Sequence, residues 1–208
     1  MLICGLKNLG QKMTMNESTS SFDEKFVERL KNKDKKAFEE LINHFGPNLF
    51  NFGMKMCGER EDALDIFQDT LEKAYTSLEQ LKEPTSLKKW LFKVAANACL
   101  MKRRKEKIFS YKIDSEDSTL EPEILSKEDE LENLPEAIIL NKETKEVLRK
   151  IITSLPETYK SVLILRDIED FSTEETAEIL GLTKETVKMR LSRARAKVRN
   201  ELNKIFKR

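Results

Sequence analysis

From Phe26 onward apolar residues recur at spacings of three and four, which predicts helix after helix to about Arg104, with breaks at Gly46-Pro47, Gly58 and Glu83-Pro84. In DALDIFQDTLEKAYTSLEQL, the residues Leu64, Phe67, Leu71, Ala74 or Tyr75, and Leu78 share one side of a helix, the side expected to be buried. Asp65, Gln68, Asp69 and Glu72 lie off that stripe. In TSLKKWLFKVAANACLMKRRK the packing stripe is Leu91, Val94, Ala95 and Ala98. Lys89, Lys93, Asn97, Lys102, Arg103 and Arg104 stand outside it as donors, and Trp90 is open between core and surface.

Periodicity lapses over residues 112–140, where DSEDSTLEPE and KEDELENLPE combine low hydrophobicity with like charge; this predicts a flexible linker with one docking turn near Ile138 to Leu140. Helices resume near Lys142. Ser154 with Glu157 three residues on and Pro156 between them predicts a helix start, and Ser172 with Glu175 predicts a second capping box. The second helix ends at Gly181, and Thr183 caps the next one, so the order is helix, tight turn, helix. In that last helix Val187, Leu191, Ala194 and Val198 form one apolar stripe. Residues 1–22 carry no periodicity and hold Met1, Met13 and Met15, any of which could be the translation start. The expected fold is all-α: a tail over 1–22, a helical domain over 23–110, an acidic linker over 111–141, and a second helical domain over 142–208.

Composition narrows the chemistry. Six Gly and five Pro in 208 residues are too few turn-formers for a fold of many short strands. No uncharged apolar run approaches the ~20 residues of a membrane span, and Lys7 interrupts MLICGL before a secretory segment can form, so the chain is expected in the cytoplasm with no membrane insertion. Cys4, Cys57 and Cys99 suit neither a disulfide framework nor a CxxC metal site, and His44 is the only histidine. No GxGxxG or GxxxxGKS loop is present. No metal and no cofactor are expected, and enzyme readings start weak.

Net charge is only +1, but the signs are segregated. Residues 100–112 hold six Lys or Arg against one Glu, and residues 181–208 hold ten against two. Residues 113–146, between them, hold twelve Asp or Glu against three Lys. Two basic patches around an acidic bridge suit a polyanion gripped at two places, since each neutralised phosphate releases counterions. In the last helix the side opposite the apolar stripe presents Met189, Ser192, Arg193 and Ala196, flanked by Lys188, Arg190, Lys197 and Arg199. A helix-turn-helix places such a face in the major groove, where Arg pairs with guanine edges and Lys with phosphate.

The string STEETAEILGLTKETVKMRLSRARAKVR, preceded by LPETYKSVLILRDIEDFS, closely resembles the helix-turn-helix of bacterial RNA polymerase sigma factors of the sigma-70 family, extracytoplasmic-function type. A TVKxRLxRAR stretch after an AEILG turn is more specific than a generic helix-turn-helix. Two departures are Met189, where these proteins usually carry Ser, and Thr173, where an aromatic is common. The resemblance covers roughly residues 26–105 and 145–202 and makes residues 23–110 sigma region 2 and residues 142–208 sigma region 4.

Several roles follow from the resemblance alone. DIFQD looks like the segment that docks on the beta-prime clamp of RNA polymerase core, which implies core binding by Asp65, Gln68 and Asp69. The helix around Trp90 looks like the region that opens and reads the minus-10 element; it implies contacts from Lys89, Trp90, Lys93, Asn97, Lys102, Arg103 and Arg104, with Glu83, Pro84, Thr85 and Ser86 as the loop that receives a flipped base. Minus-35 contacts are implied for Thr183, Lys184, Thr186, Lys188, Arg190, Arg193 and Arg195. The implied partners are polymerase core, promoter DNA and an anti-sigma factor, and no catalytic centre is implied. The alternative is a helix-turn-helix regulator acting without polymerase, which gives the Asp65 to Asp69 face no function. A nuclease is more distant, because its carboxylates would have to cluster in a folded site.

Overall fold

The computed structural model describes residues 24–81, 83, 86–110 and 142–206, so the tail, the acidic stretch and the expected turn near Ile138 lie outside the described residues. Among the described residues there are eight α-helices and no strand. The N-terminal unit holds α1 (Glu24–Lys31), α2 (Lys35–Cys57), α3 (Arg60–Ser77), a short 3-10 turn (Leu78–Gln80) and α4 (Leu87–Ser110). The C-terminal unit holds α5 (Lys142–Ser154), α6 (Glu157–Leu163) with a π turn over Ile164–Ile168, α7 (Thr173–Leu180) and α8 (Lys184–Phe206).

The start of α2 is fixed by Asp34, whose carboxylate accepts from the Lys36 amide at 2.8 Å and the Ala37 amide at 3.4 Å. Arg29, at 2.8 Å, is the first cause that holds this carboxyl below its ordinary range. The helix then runs straight through Gly46-Pro47, where a break is predicted. Pro47 deletes one backbone donor, but it sits on the exposed side, while Leu41, Phe45, Leu49 and Phe52 anchor the two halves in the core. Gly58, at φ 88°, ends the helix as predicted.

α3 packs on α2 through small residues. A Cβ built on Gly53 would lie 3.2 Å from the Ala63 Cα, so the backbones touch there and Ala63 is fully buried. This contact rotates α3 relative to the predicted stripe. Its buried line is Ala63, Ile66, Thr70 and Ala74, with Phe67 and Leu71 at the edge. Leu64, predicted inside, is 37% exposed, and of the alternatives Ala74 and Tyr75 it is Ala74 that is buried, with Tyr75 49% exposed. Thr70 fits the dry interface because its hydroxyl donates to the Ile66 carbonyl at 2.7 Å.

In the C-terminal unit Ser154 closes α5 rather than opening α6: its hydroxyl donates back to Ile151 at 2.8 Å, and Pro156 takes the N-cap place. Glu157 is drawn to Lys160 and Arg103, so it does not serve a capping box. The box at Ser172 and Glu175 forms in both directions, at 2.7 and 3.0 Å. Gly181 adopts φ 64°, with nothing within 4 Å of an added Cβ, so glycine is there for its dihedral freedom and not for lack of room. Thr183 caps α8 by accepting from the Thr186 amide at 3.2 Å. Val187, Leu191, Ala194 and Leu202 bury one side of α8.

The two units touch. Phe92 of α4 stacks edge-on against Phe52 at 5.3 Å and against Phe171 at 5.0 Å, which joins their cores. Lys160, 2% exposed, donates to the Met56 carbonyl at 3.3 Å, and Lys55 pairs with Glu169 at 2.9 Å.

Gly53→Val is expected to force α3 off α2 and to cost ~1 to 3 kcal/mol. Urea unfolding should report the loss, whereas Gly46→Ala, whose Cβ would meet the Phe67 ring at an ordinary 3.5 Å, should be much milder.

Candidate functional site

Two cationic faces and one acidic face stand out on the helices just described. On α4, Lys93, Asn97, Met101 and Arg104 are exposed at spacings of four, four and three, which gives one continuous stripe. Trp90, half-buried, packs against the core beside that stripe. Ahead of it the Ser86 amide donates to the Glu83 carbonyl at 3.0 Å, a turn that leads into α4. Pro84 and Thr85 lie outside the described residues.

The other α4 cations are already engaged. Lys102 bridges Asp62 at 2.6 Å and Asp65 at 3.0 Å; Asp62 first, then Asp65, hold its ammonium well above the usual lysine range. Arg103 donates to the Cys57 carbonyl at 2.8 Å and approaches Glu157 at 3.5 Å. Lys89 meets Glu178 of α7 at 2.5 Å, and the pair raises the lysine while it lowers the carboxyl. Lys102 and Arg103 therefore brace helices, and Lys93, Asn97 and Arg104 carry the open part of this face.

The outer side of α3 presents Leu64, Asp65, Gln68 and Asp69, all exposed. Asp65 remains 66% exposed although it holds Lys102. Leu64 escaped the periodicity argument because a leucine on a helix edge reads as core, and only the helix rotation places it outside. An apolar side chain beside carboxylates is a surface that fits a protein partner with basic and apolar groups.

On α8, Lys188 and Met189 are exposed and Arg190 and Arg193 half-exposed. Among the described residues, Lys188, Arg190 and Arg193 form no ion pair within 4.0 Å. Lys184 meets Glu174 at 2.9 Å on the surface, and the Thr183 and Thr186 hydroxyls share a hydrogen bond of 3.0 Å. Arg195 differs in kind: its fork grips the buried carboxylate of Asp167 at 2.9 and 2.7 Å. Asp167 is 2% exposed, and the pair raises the guanidinium further above its already high range. This clamp ties α8 to the π turn, so the Arg195 side chain points inward from the expected minus-35 set.

Among the described residues no group of three or more His, Cys, Asp or Glu could hold a metal, and no helix is long and apolar enough to cross a membrane. Cys57 and Cys99 are buried free thiols in contact with each other, and that contact together with Arg103 lowers Cys57 while it raises Cys99. The exposed faces offer binding chemistry: basic stripes suited to phosphate and base edges, and one acidic-apolar face suited to protein.

Comparison with known proteins gives this chemistry its context. Residues 41–108 match the model for sigma-70 region 2, and residues 145–198 match that for sigma-70 region 4. The RNA polymerase sigma factor SigV of Bacillus subtilis is 31% identical over 176 residues, which cover 85% of this chain and 97% of the relative. The ECF RNA polymerase sigma factor SigW of the same organism is 27% identical over 179 residues, covering 86% and 95%. Among solved structures, the sigma factor RpoE in complex with the anti-sigma factor NepR from Bartonella quintana aligns with a TM-score of 0.59 at 24% identity, over 81% of this chain and 98% of that one. CnrH in complex with the cytosolic domain of CnrY aligns with a TM-score of 0.59 at 20% identity, over 88% and 97%. These last two establish the fold. With both regions matched in order, and a relative at this identity over nearly its whole length, the chain belongs to the sigma-70 family of RNA polymerase sigma factors, extracytoplasmic-function type, which direct promoter-specific transcription and are not enzymes.

Proposed function

We propose that this sigma factor binds polymerase core through the α3 face, contacts the minus-35 duplex with α8, and reads and helps to melt the minus-10 element with α4. The observation that carries this reading is the pair of cationic faces on two separate helices, with an acidic-apolar face on the helix ahead of both in the sequence. In the minus-35 duplex the α8 side chains enter the major groove: Arg193 spans a guanine edge with two hydrogen bonds, while Lys188 and Arg190 neutralise phosphates. Thr183 and Thr186, at the start of α8, bring hydroxyls to the same strand. Lys184 must exchange Glu174 for phosphate, a small cost for a surface pair.

At minus-10 the exposed stripe of Lys93, Asn97 and Arg104 follows the sugar-phosphate chain, and the Glu83 to Ser86 turn with Trp90 receives the unstacked base. A flipped base loses stacking worth a few kcal/mol, which the aromatic ring and these polar groups replace. Binding energy, and no covalent step, drives opening. On core, Asp65, Gln68 and Asp69 complement basic residues of the beta-prime clamp, and Leu64 adds apolar contact. An anti-sigma factor is a further expected partner, in keeping with the neighbours solved in complex with NepR and CnrY.

Run-off transcription with purified core on a genomic promoter library tests the whole reading; promoter-specific transcripts are expected, and none from core alone.

Asp69→Lys is the cleaner probe of core docking, because Asp65 also holds Lys102. It should weaken co-elution with core about tenfold with helicity unchanged.

On α8, Arg193→Ala is expected to cost ~1 to 3 kcal/mol on the preferred minus-35 sequence and to relax one base pair, whereas Lys188→Ala should weaken all sequences alike and lower the salt slope by about one. Arg195→Ala should act on stability instead: it strands a buried carboxylate at a cost of roughly 3 kcal/mol. Urea unfolding beside base-by-base binding separates the three.

A further inference from the structure

In the middle of its cationic surface, α8 carries a large apolar side chain. Met189 is 46% exposed, between Lys188 and Arg190. At about 100 degrees per residue, Glu185, Met189, Ser192 and Ala196 fall along one line, opposite the buried Val187, Leu191 and Ala194. Lys188 and Arg199 lie to one side of that line, and Arg190, Arg193 and Lys197 to the other. The fork of Arg195 on Asp167, at 2.9 and 2.7 Å, fixes the rotation of α8 about its own axis and keeps this line outermost.

This arrangement matches the major groove in cross-section. Phosphates run along both walls, where the flanking cations belong, and base edges form the floor between them. A line that begins with the exposed carboxylate of Glu185 is repelled by phosphate, so it suits the floor and not the walls. Ser192 and Ala196 are small enough to let the helix come close, which leaves Met189 as the one large apolar group on the line. It sits within the first two turns of α8, the part that a helix-turn-helix sets against base edges.

A thioether has no proton to donate and accepts only weakly, so Met189 is not built to read a base by hydrogen bonding. The groove floor offers one apolar group, the C5 methyl of thymine. We infer that Met189 is a specificity-determining residue that selects a thymine in the minus-35 element by packing against its methyl group. This inference rests on the minus-35 reading of α8. It adds an apolar preference at one base pair to the guanine contact of Arg193, and the unbranched, flexible methionine can follow the methyl as the helix settles. Withdrawing one methyl group from water changes binding about fourfold.

The probe is a duplex promoter whose minus-35 segment alone is randomised and then selected by the full-length chain assembled with polymerase core. Deoxyuridine replaces each thymine of the selected segment in turn, which removes the methyl and leaves the hydrogen-bonding edges and phosphates unchanged. At one position the replacement should weaken wild type about fourfold, while Met189→Ala should bind the thymine and uracil duplexes alike. Met189→Leu, which restores apolar bulk, should recover most of the discrimination. Both variants should unfold in urea with wild type, because the side chain is exposed.

If no deoxyuridine weakens wild type, or if Met189→Ala keeps the full penalty, the thymine contact is overturned, and the selected sequence leaves the minus-35 reading standing. If the assembled chain selects no minus-35 sequence, that reading of α8 has failed and the thymine contact falls with it.

Discussion

The Phe92 ring is shared by two cores. It meets Phe52 on one side and Phe171 on the other, and these contacts turn two small helical units into one apolar interior. A unit of sixty or eighty residues buries a modest fraction of its surface, so an aromatic held in common is a sizeable share of the stability of each. The polar contacts at the joint then take their geometry from that stack: Lys88 over the Phe171 ring and on the Glu169 carbonyl, Lys55 on the Glu169 carboxylate, Lys89 on Glu178. A surface pair such as Lys89 with Glu178 contributes little alone, but where the apolar stack holds the helices in place it helps to select one arrangement over others.

Much of the architecture was legible from spacing. The helical units, the Ser172 and Glu175 box, the Gly181 turn and the α8 stripe follow from local rules that tertiary contacts did not override. Where the reading went astray, a contact between helices decided. Gly53 lets Ala63 approach so closely that α3 turns its Ala63, Ile66, Thr70 and Ala74 line inward and leaves Leu64 outside. Pro47 keeps its helix because its missing hydrogen bond faces solvent. Phe92, Ala96 and Cys99 were absent from the predicted α4 stripe, since a search for one buried side of a helix does not find a second.

The candidate site divides along the same line. Sequence supplies residue types and a family pattern, but it does not distinguish Arg193 from Arg195 two positions later. Two residues turn a helix by about 200 degrees, so neighbours of identical chemistry face opposite surroundings. Arg195 meets a buried carboxylate that comes from another helix, 28 residues away. The fates of Lys102 and Arg103 were hidden for the same reason, since their partners are carbonyl and carboxylate groups from α2, α3 and α6.

The π turn at Ile164–Ile168 sets the phase of everything after it. Its signature bond runs from the Glu169 amide to the Ile164 carbonyl, one residue longer than an α-helical bond. Removing one residue there would restore ordinary helical bonding and by local criteria improve the segment, yet it would swing Asp167 by about 100 degrees and take it out of reach of Arg195. The length of this segment is thus fixed by where a carboxylate must point, and a deletion that relieves the helix would unlatch the recognition helix from its base.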